Sequence, residues 1–234
     1  MAWVKRFSDA DREKILRLAK ETLRSEEGRE ALNYLTNVRK LSPQVIDQFE
    51  MGYCPERVPH QVSGRIITPI YDAHNNLIVL STRHLDESSD FRFWHETFSK
   101  SLYFYGLNYA KRSIIKSRKA IIVEGEMDVA ALHSRGFTMT IGVCGSALTL
   151  FQISLLSKYC SSFYLMFDGD EAGKRATASA MELYKKNDLD AHQLEFIPVN
   201  LEEGYDPDEY VKKYGRVKLR DKLVEAKEEY TNSV

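Results

Sequence analysis

Cysteine is scarce in this chain: Cys54, Cys144 and Cys160 stand far apart along 234 positions. An odd, sparse set excludes a disulfide framework and fits reduced thiols. No Cys-x-x-Cys pair occurs and the six histidines are scattered, so no zinc site can be read. Cys54 and His60 share a loop-like stretch, but two donors do not make a tetrahedral site. A run of about 18 apolar residues is missing too, which excludes a helical membrane span. Met1–Ala10 lacks the apolar core of a signal segment and reads as mature sequence. Repeats and low-complexity tracts are absent. The net charge of −1 lacks the basic excess of an obvious polyanion binder. These absences describe an ordinary globular chain, expected in a reducing, cytoplasmic compartment.

The charge that is present is unevenly spread. Arg57–Arg118 holds nine Lys/Arg against five Asp/Glu, and acids prevail from Lys119 onward. The opening third reads as helical. Residues 9–24 place Ile15, Leu16, Leu18, Ala19 and Leu23 on one side, with Ser8 or Asp9 as the cap. Helices are also expected over Glu30–Val38 and Ser42–Phe49, the latter from its Ser42-Pro43 start. Arg65–Tyr71 and Leu77–Arg83 read as a β-hairpin, with aromatic Phe91–His95 and Leu102–Tyr105 as further strands. Phe93 and Tyr105 are expected in packing, and Leu107–Ser117 as a connecting helix.

From Ala120 the pattern alternates. Strands are expected at Ala120–Val123, Thr138–Val143, Ser162–Phe167 and His192–Pro198. Helices are expected at Met127–Arg135, Thr149–Tyr159, Ala172–Lys185, Asp208–Tyr214 and Val217–Lys227. Such alternation implies an α/β fold whose mainly parallel sheet carries helices on both faces. The expected division is a mixed α+β subdomain with a basic groove over 1–118 and a catalytic subdomain over 119–234.

In parallel sheets ligands gather beyond the carboxyl ends of the strands, and carboxylates occupy those places here. Glu124 follows Ile121-Ile122-Val123. Asp168-Gly169-Asp170 follows Tyr164-Leu165-Met166-Phe167. Asp206-Pro207-Asp208 lies beyond the strand ending near Val199. Taken singly, each is more simply a helix cap or a turn. Three at equivalent places in successive βα units point to one acidic site. Converging carboxylates repel unless cations neutralise them. Magnesium takes oxygen ligands, and two such ions about 4 Å apart can clamp both oxygens of a phosphoryl transfer.

The same residues carry a resemblance. Ile122-Val123-Glu124-Gly125-Glu126-Met127-Asp128-Val129-Ala130-Ala131-Leu132 resembles the first signature of Toprim domains, and Phe167-Asp168-Gly169-Asp170-Glu171-Ala172-Gly173 the second. Gly145–Thr149, Asp206–Tyr210 and Lys213-Tyr214-Gly215 resemble DnaG-type primases. So do Arg65–Ile70, Arg83, Arg92-Phe93-Trp94, Phe98-Ser99-Lys100 and Tyr105-Gly106-Leu107. Residues 34–53 are similar to that family's helical lead segment. The likeness spans roughly 30–215 in consistent order. It departs where Glu126 replaces a usual aromatic and Arg92 a lysine, and where no zinc-binding or helicase-binding module is seen. That implies a compact phage or plasmid version, or an excised core.

The resemblance implies a Toprim fold and a DNA primase. Such a nucleotidyltransferase is a DNA-directed RNA polymerase that makes short RNA primers on single-stranded DNA during DNA replication. Glu124, Asp168 and Asp170 would be catalytic. Glu124, Asp168, Asp170, Asp206 and Asp208 would hold Mg2+ or Mn2+. Arg65, Arg83, Arg92, Lys100 and Asp128 would contact template or nucleotide. Ribonucleoside triphosphates, a replicative helicase and a zinc-binding module supplied in trans are the implied partners. The rival readings are a Toprim-family metal-dependent nuclease, which needs only metals and a water, and a non-catalytic binding subunit.

Overall fold

A computed structural model describes residues 7–58, 61–86, 92–145, 147–191 and 193–233. His60, Phe91, Ser146 and His192, which figure in the expectations above, lie outside the described residues. The chain forms two compact units, Met1–Ser99 and Lys100–Val234. The break thus falls earlier than the expected 118/119. The reason is that Phe104–Tyr105 hydrogen-bonds into the second unit's sheet.

In the first unit, helix α1 (Asp9–Leu23) starts at Ser8, whose hydroxyl accepts from Asp11 N at 3.1 Å. Its apolar stripe, Ile15, Leu16, Ala19 and Leu23, is buried. Helix α2 (Arg29–Asn33) runs on into a π-helical turn over Tyr34–Val38. Helix α3 (Pro43–Gln48) is capped by Ser42. Four antiparallel strands follow in spatial order: β1 (Gly52–Cys54), β2 (Arg65–Tyr71), β3 (Leu77–His84) and β4 (Phe93–His95). The β2–β3 turn is pinned by the Asp72 carboxylate, which accepts from His74 N, Asn76 N and the Asn76 amide. Strand β1, three residues long, lies where the sequence pattern predicts no strand. Its Gly52 lies so close to α1 that a Cβ would meet the Ala19 Cβ at 2.6 Å.

Among the described residues of this unit, the Arg12–Glu96 charge pair is fully buried. Glu96, 0% exposed, accepts from Arg12 Nε and NH2 at 3.0 Å each, from Phe7 N at 2.7 Å and from Leu80 N at 2.9 Å. The pair ties α1 to the sheet, with every bond to the carboxylate charge-assisted.

The second unit holds β5 (Phe104–Tyr105), α4 (Leu107–Ser117), β6 (Lys119–Val123), α5 (Glu126–Ser134) and β7 (Thr140–Val143). It continues with α6 (Leu150–Ser157), β8 (Ser162–Leu165), α7 (Glu171–Lys186), β9 (Glu195–Pro198) and α8 (Pro207–Ser233). The strand order is β5-β7-β6-β8-β9, with β5 antiparallel and the rest parallel. Central β6 is paired on both edges, and Ala120, Ile121, Ile122 and Val123 are buried, as its unbroken apolar run requires. The two helices expected near the C-terminus are both present within α8, separated by a kink at Gly215, whose φ of 78° is left-handed.

Candidate metal centre

Strand order decides what meets here. Because β8 lies between β6 and β9, the loops after these three strands share one end of the sheet. Glu124, two residues past the β6–β8 partner Ile122, reaches the next loop: Asp168 N donates to Glu124 Oε1 at 3.4 Å. Asp128, on the first turn of α5, accepts from Gly125 N at 3.1 Å and from Asp208 N at 3.3 Å. The β8 loop is tied to the β9 loop by Gly169 N donating to Tyr205 O at 2.9 Å. Gly169 is required there, since a Cβ would stand 2.2 Å from Glu202 O. Gly173 is equally constrained, with Asp168 O at 2.0 Å from where its Cβ would be.

Two of the acids also do what their sequence context alone would suggest. Asp170 caps α7, accepting from Ala172 N at 2.9 Å and Gly173 N at 2.8 Å. Asp206 accepts from Glu209 N at 2.6 Å at the start of α8. In each case one carboxylate oxygen serves the helix. Asp208 is fully buried and paired with Lys212 Nζ at 2.8 Å.

The electrostatics follow from this crowding. Burial, then Glu124, Asp206, Asp170 and Glu209, push the Asp168 carboxyl up to about 7. Burial, with Asp206, Asp168 and Asp208 adding, holds Asp128 well above the usual carboxylate range. Glu124 is raised by burial and by Asp170, against the opposing N–H of Asp168. Asp168 Oδ1 is buried with no hydrogen-bond partner. An oxygen-only donor set with an orphaned buried oxygen fits a hard divalent cation. Among the described residues, no three His, Cys, Asp or Glu side chains close into a compact ligand set.

The expected contact residues divide. Arg65, Arg83 and Arg92 lie in the first unit. Arg65 pairs with His84, and Arg83 with Ile66, so alternation sends Arg65 and Arg83 to opposite faces of the hairpin. Arg65 NH1 donates to Arg92 O at 3.4 Å. Arg83 and Arg92 lie 5.1 and 5.3 Å from the centroid of Phe93, which is 57% exposed. Phe93 is thus a surface ring under two cations, not the packing residue expected. Tyr105 is buried as expected. Lys100 belongs to the second unit, in a 3-10 turn beside Gly145. Asp128 does not face outward: both carboxylate oxygens are committed to backbone N–H groups. Lys212 went unnoticed in the sequence; its i+4 spacing from Asp208 was the available signal.

A family described as Toprim-like matches residues 121–211. The DNA primase of Aquifex aeolicus is 31% identical over 225 residues, 82% of this chain and 44% of that protein. The DNA primase of Chlamydia trachomatis is 32% identical over 235 residues, 87% and 38% of the two chains. The chain therefore spans less than half the length of these curated relatives. Among solved structures, the zinc-binding and RNA polymerase domains of Aquifex aeolicus primase superpose with a TM-score of 0.78 and 27% identity. That match covers 96% of this chain and 63% of the other. A DnaG primase catalytic domain solved with single-stranded DNA superposes with a TM-score of 0.81 at 22% identity, covering 93% and 78%.

Proposed function

We propose, from the premise that this chain matches the catalytic core of DnaG-type primases in sequence and fold, that it joins ribonucleotides into short primers on a single-stranded DNA template. The observation that carries this reading is the meeting of Glu124, Asp168, Asp206 and Asp208 at one sheet end, with an orphaned oxygen on Asp168. Asp168, Asp170, Asp206 and Asp208, with Glu124, would hold Mg2+ or Mn2+. Such ions would supply charge neutralisation at a phosphate and a lowered pKa for a 3′-hydroxyl.

The protein's own contribution is arrangement. Asp170 and Asp206 each keep one oxygen on a helix N-terminus, which fixes the side chain. Asp128 bridges the β6 and β9 loops through two backbone N–H groups, so we assign it a positioning role. Glu124 is half-buried, and burial holds its carboxyl above the usual range, so it keeps a proton more tightly than a free glutamate and suits proton transfer at the site. Arg83 and Arg92 around exposed Phe93 suit a nucleic-acid strand, which cations and an aromatic face can grip without reading sequence. No helix among the described residues is long and apolar enough to cross a membrane. A replicative helicase and a zinc-binding module on another chain are the partners we propose.

The test is incubation with single-stranded DNA, labelled ribonucleotides and Mg2+ or Mn2+, with and without a helicase and with Asp168→Ala as control. A ladder of short RNA that disappears with Asp168→Ala supports the polymerase. Shortened DNA without RNA synthesis would make the chain a nuclease.

A further inference from the structure

Beside the acidic site stands a group of tyrosines that the mechanism above leaves unused. Tyr205, Tyr210 and Tyr214 form one aromatic triangle, with ring centroids 6.4, 5.7 and 4.8 Å apart. Tyr210 is its buried base, 1% exposed, and Tyr214 its outer member, 40% exposed. The exposed ammonium of Lys213 lies 4.6 Å from the Tyr205 centroid and 5.1 Å from that of Tyr214, and donates to the Tyr205 hydroxyl. The helix breaks directly after Tyr214 at Gly215, where an added Cβ would meet nothing within 4 Å. Tyr214 therefore borders solvent beside this break.

The triangle is fixed relative to the acids. Tyr205 immediately precedes Asp206, and its carbonyl accepts from Gly169 N in the Asp168–Asp170 loop at 2.9 Å. Packing alone accounts for Tyr210. It does not account for a second ring left 40% exposed with an exposed cation laid over it. An ammonium over an exposed ring contributes roughly two- to fivefold in an equilibrium. A base stacked on an aromatic side chain contributes roughly five- to a hundredfold. A base can thus displace the ammonium, and the freed lysine then finds that base's phosphate.

We infer that Tyr205, Tyr214 and Lys213 form a nucleotide-binding platform at the rim of the acidic site, with the base on the tyrosine rings and a phosphate on Lys213. The inference rests on the nucleotidyl-transfer reading above for the meaning of the site it borders. The ligand is either an incoming ribonucleotide or one residue of the DNA strand, since both offer the same base and phosphate.

Two binding measurements on the full chain, neither needing turnover, separate these sources. One titrates ATP in the presence of Mn2+ by calorimetry; the other follows the anisotropy of a fluorescein-labelled oligothymidylate. Tyr214→Ala is expected to weaken one of the two by at least about fivefold, and Tyr214→Phe, which keeps the ring, to restore it. Loss in the ATP arm assigns the incoming nucleotide, and loss in the DNA arm the strand. Lys213→Gln is expected to weaken the same arm by about threefold and to flatten its salt dependence. The proposal is overturned if folded Tyr214→Ala changes both arms by less than twofold. Should that variant fail to fold, unchanged affinity and salt dependence in Lys213→Gln overturn it. Tyr214-dependent binding without any primer synthesis would sink the polymerase reading and spare the platform.

Discussion

The two units bury acids in opposite ways. In the first, Glu96 is surrounded by four donors and paired with a guanidinium that is itself 1% exposed. In the second, burial and neighbouring acids raise both Asp128 and Asp168, with Asp206 acting on each, while buried Asp208 is paired with Lys212. A buried charge with full pairing holds a fold in one arrangement. A buried set of like charges opposes its own fold, and persists where a counter-ion is expected. A buried carboxylate is thus a structural tie in one unit and, in the other, part of the metal site we propose.

The comparison breaks most visibly at Glu96. Glu96→Ala removes the buried partner of Arg12, leaving it exposed Asp9 and the Phe7 carbonyl, and strands two backbone N–H groups, with an expected cost of about 3–5 kcal/mol. For a chain of this size that is a fall in Tm of roughly 6–20 °C. A melting curve that barely moves would contradict the tie.

Asp168→Asn tests the other side. Primer synthesis is expected to drop at least about a hundredfold. Yet the metal-free chain should melt no lower than wild type at about pH 8, because a repelling charge has gone. A loss of stability matching that of Glu96→Ala would erase the contrast between the units.

The pH dependence sharpens it. The folded pKa of Asp168 is raised to about 7, so the folded state binds this proton more tightly than the unfolded chain does. Its stabilising contribution is complete below about pH 4 and is lost as pH rises through about 7. In chelator, Tm should therefore fall across that window, and Mg2+ should restore it at the alkaline end. Asp168→Asn should show a shallower fall. Identical profiles for the two proteins would argue against a strained acidic cluster.

The smallest effect is expected at Arg57, which pairs with Glu27 at 2.5 Å on the surface of the first unit. Arg57→Ala should cost no more than about 1 kcal/mol, as solvent screens such pairs. Denaturant titration showing several times that would mean exposed and buried charge pairs differ less than argued.

Much of this was open to reading in the chain itself. The stripe on α1, the Ser42-Pro43 start, the hairpin and the alternating βα pattern all follow from local periodicity and capping, and the elements appear within a few residues of their expected limits. The acids could be placed because Glu124 and Asp168 come just after apolar strands and Asp206-Pro207-Asp208 lies in the loop beyond the next one. Other features had no local signal. Strand β1 is too short to show a period, and Phe104–Tyr105 carries nothing that says which sheet it joins. Phe93 looked like packing because an aromatic in a strand usually is. Glu96 was one acid among many, its partner lying 84 positions away.

Sequence by itself determined which residues lie at strand ends and helix starts, since hydrophobic period and capping chemistry act over a few neighbouring positions. Tertiary structure alone decided that β8 lies between β6 and β9, and so that three acidic loops meet. It also turned Asp128 inward to the backbone and sent Arg65 and Arg83 to opposite faces. These depend on strand order, register and burial, which are set by contacts between segments far apart in the chain.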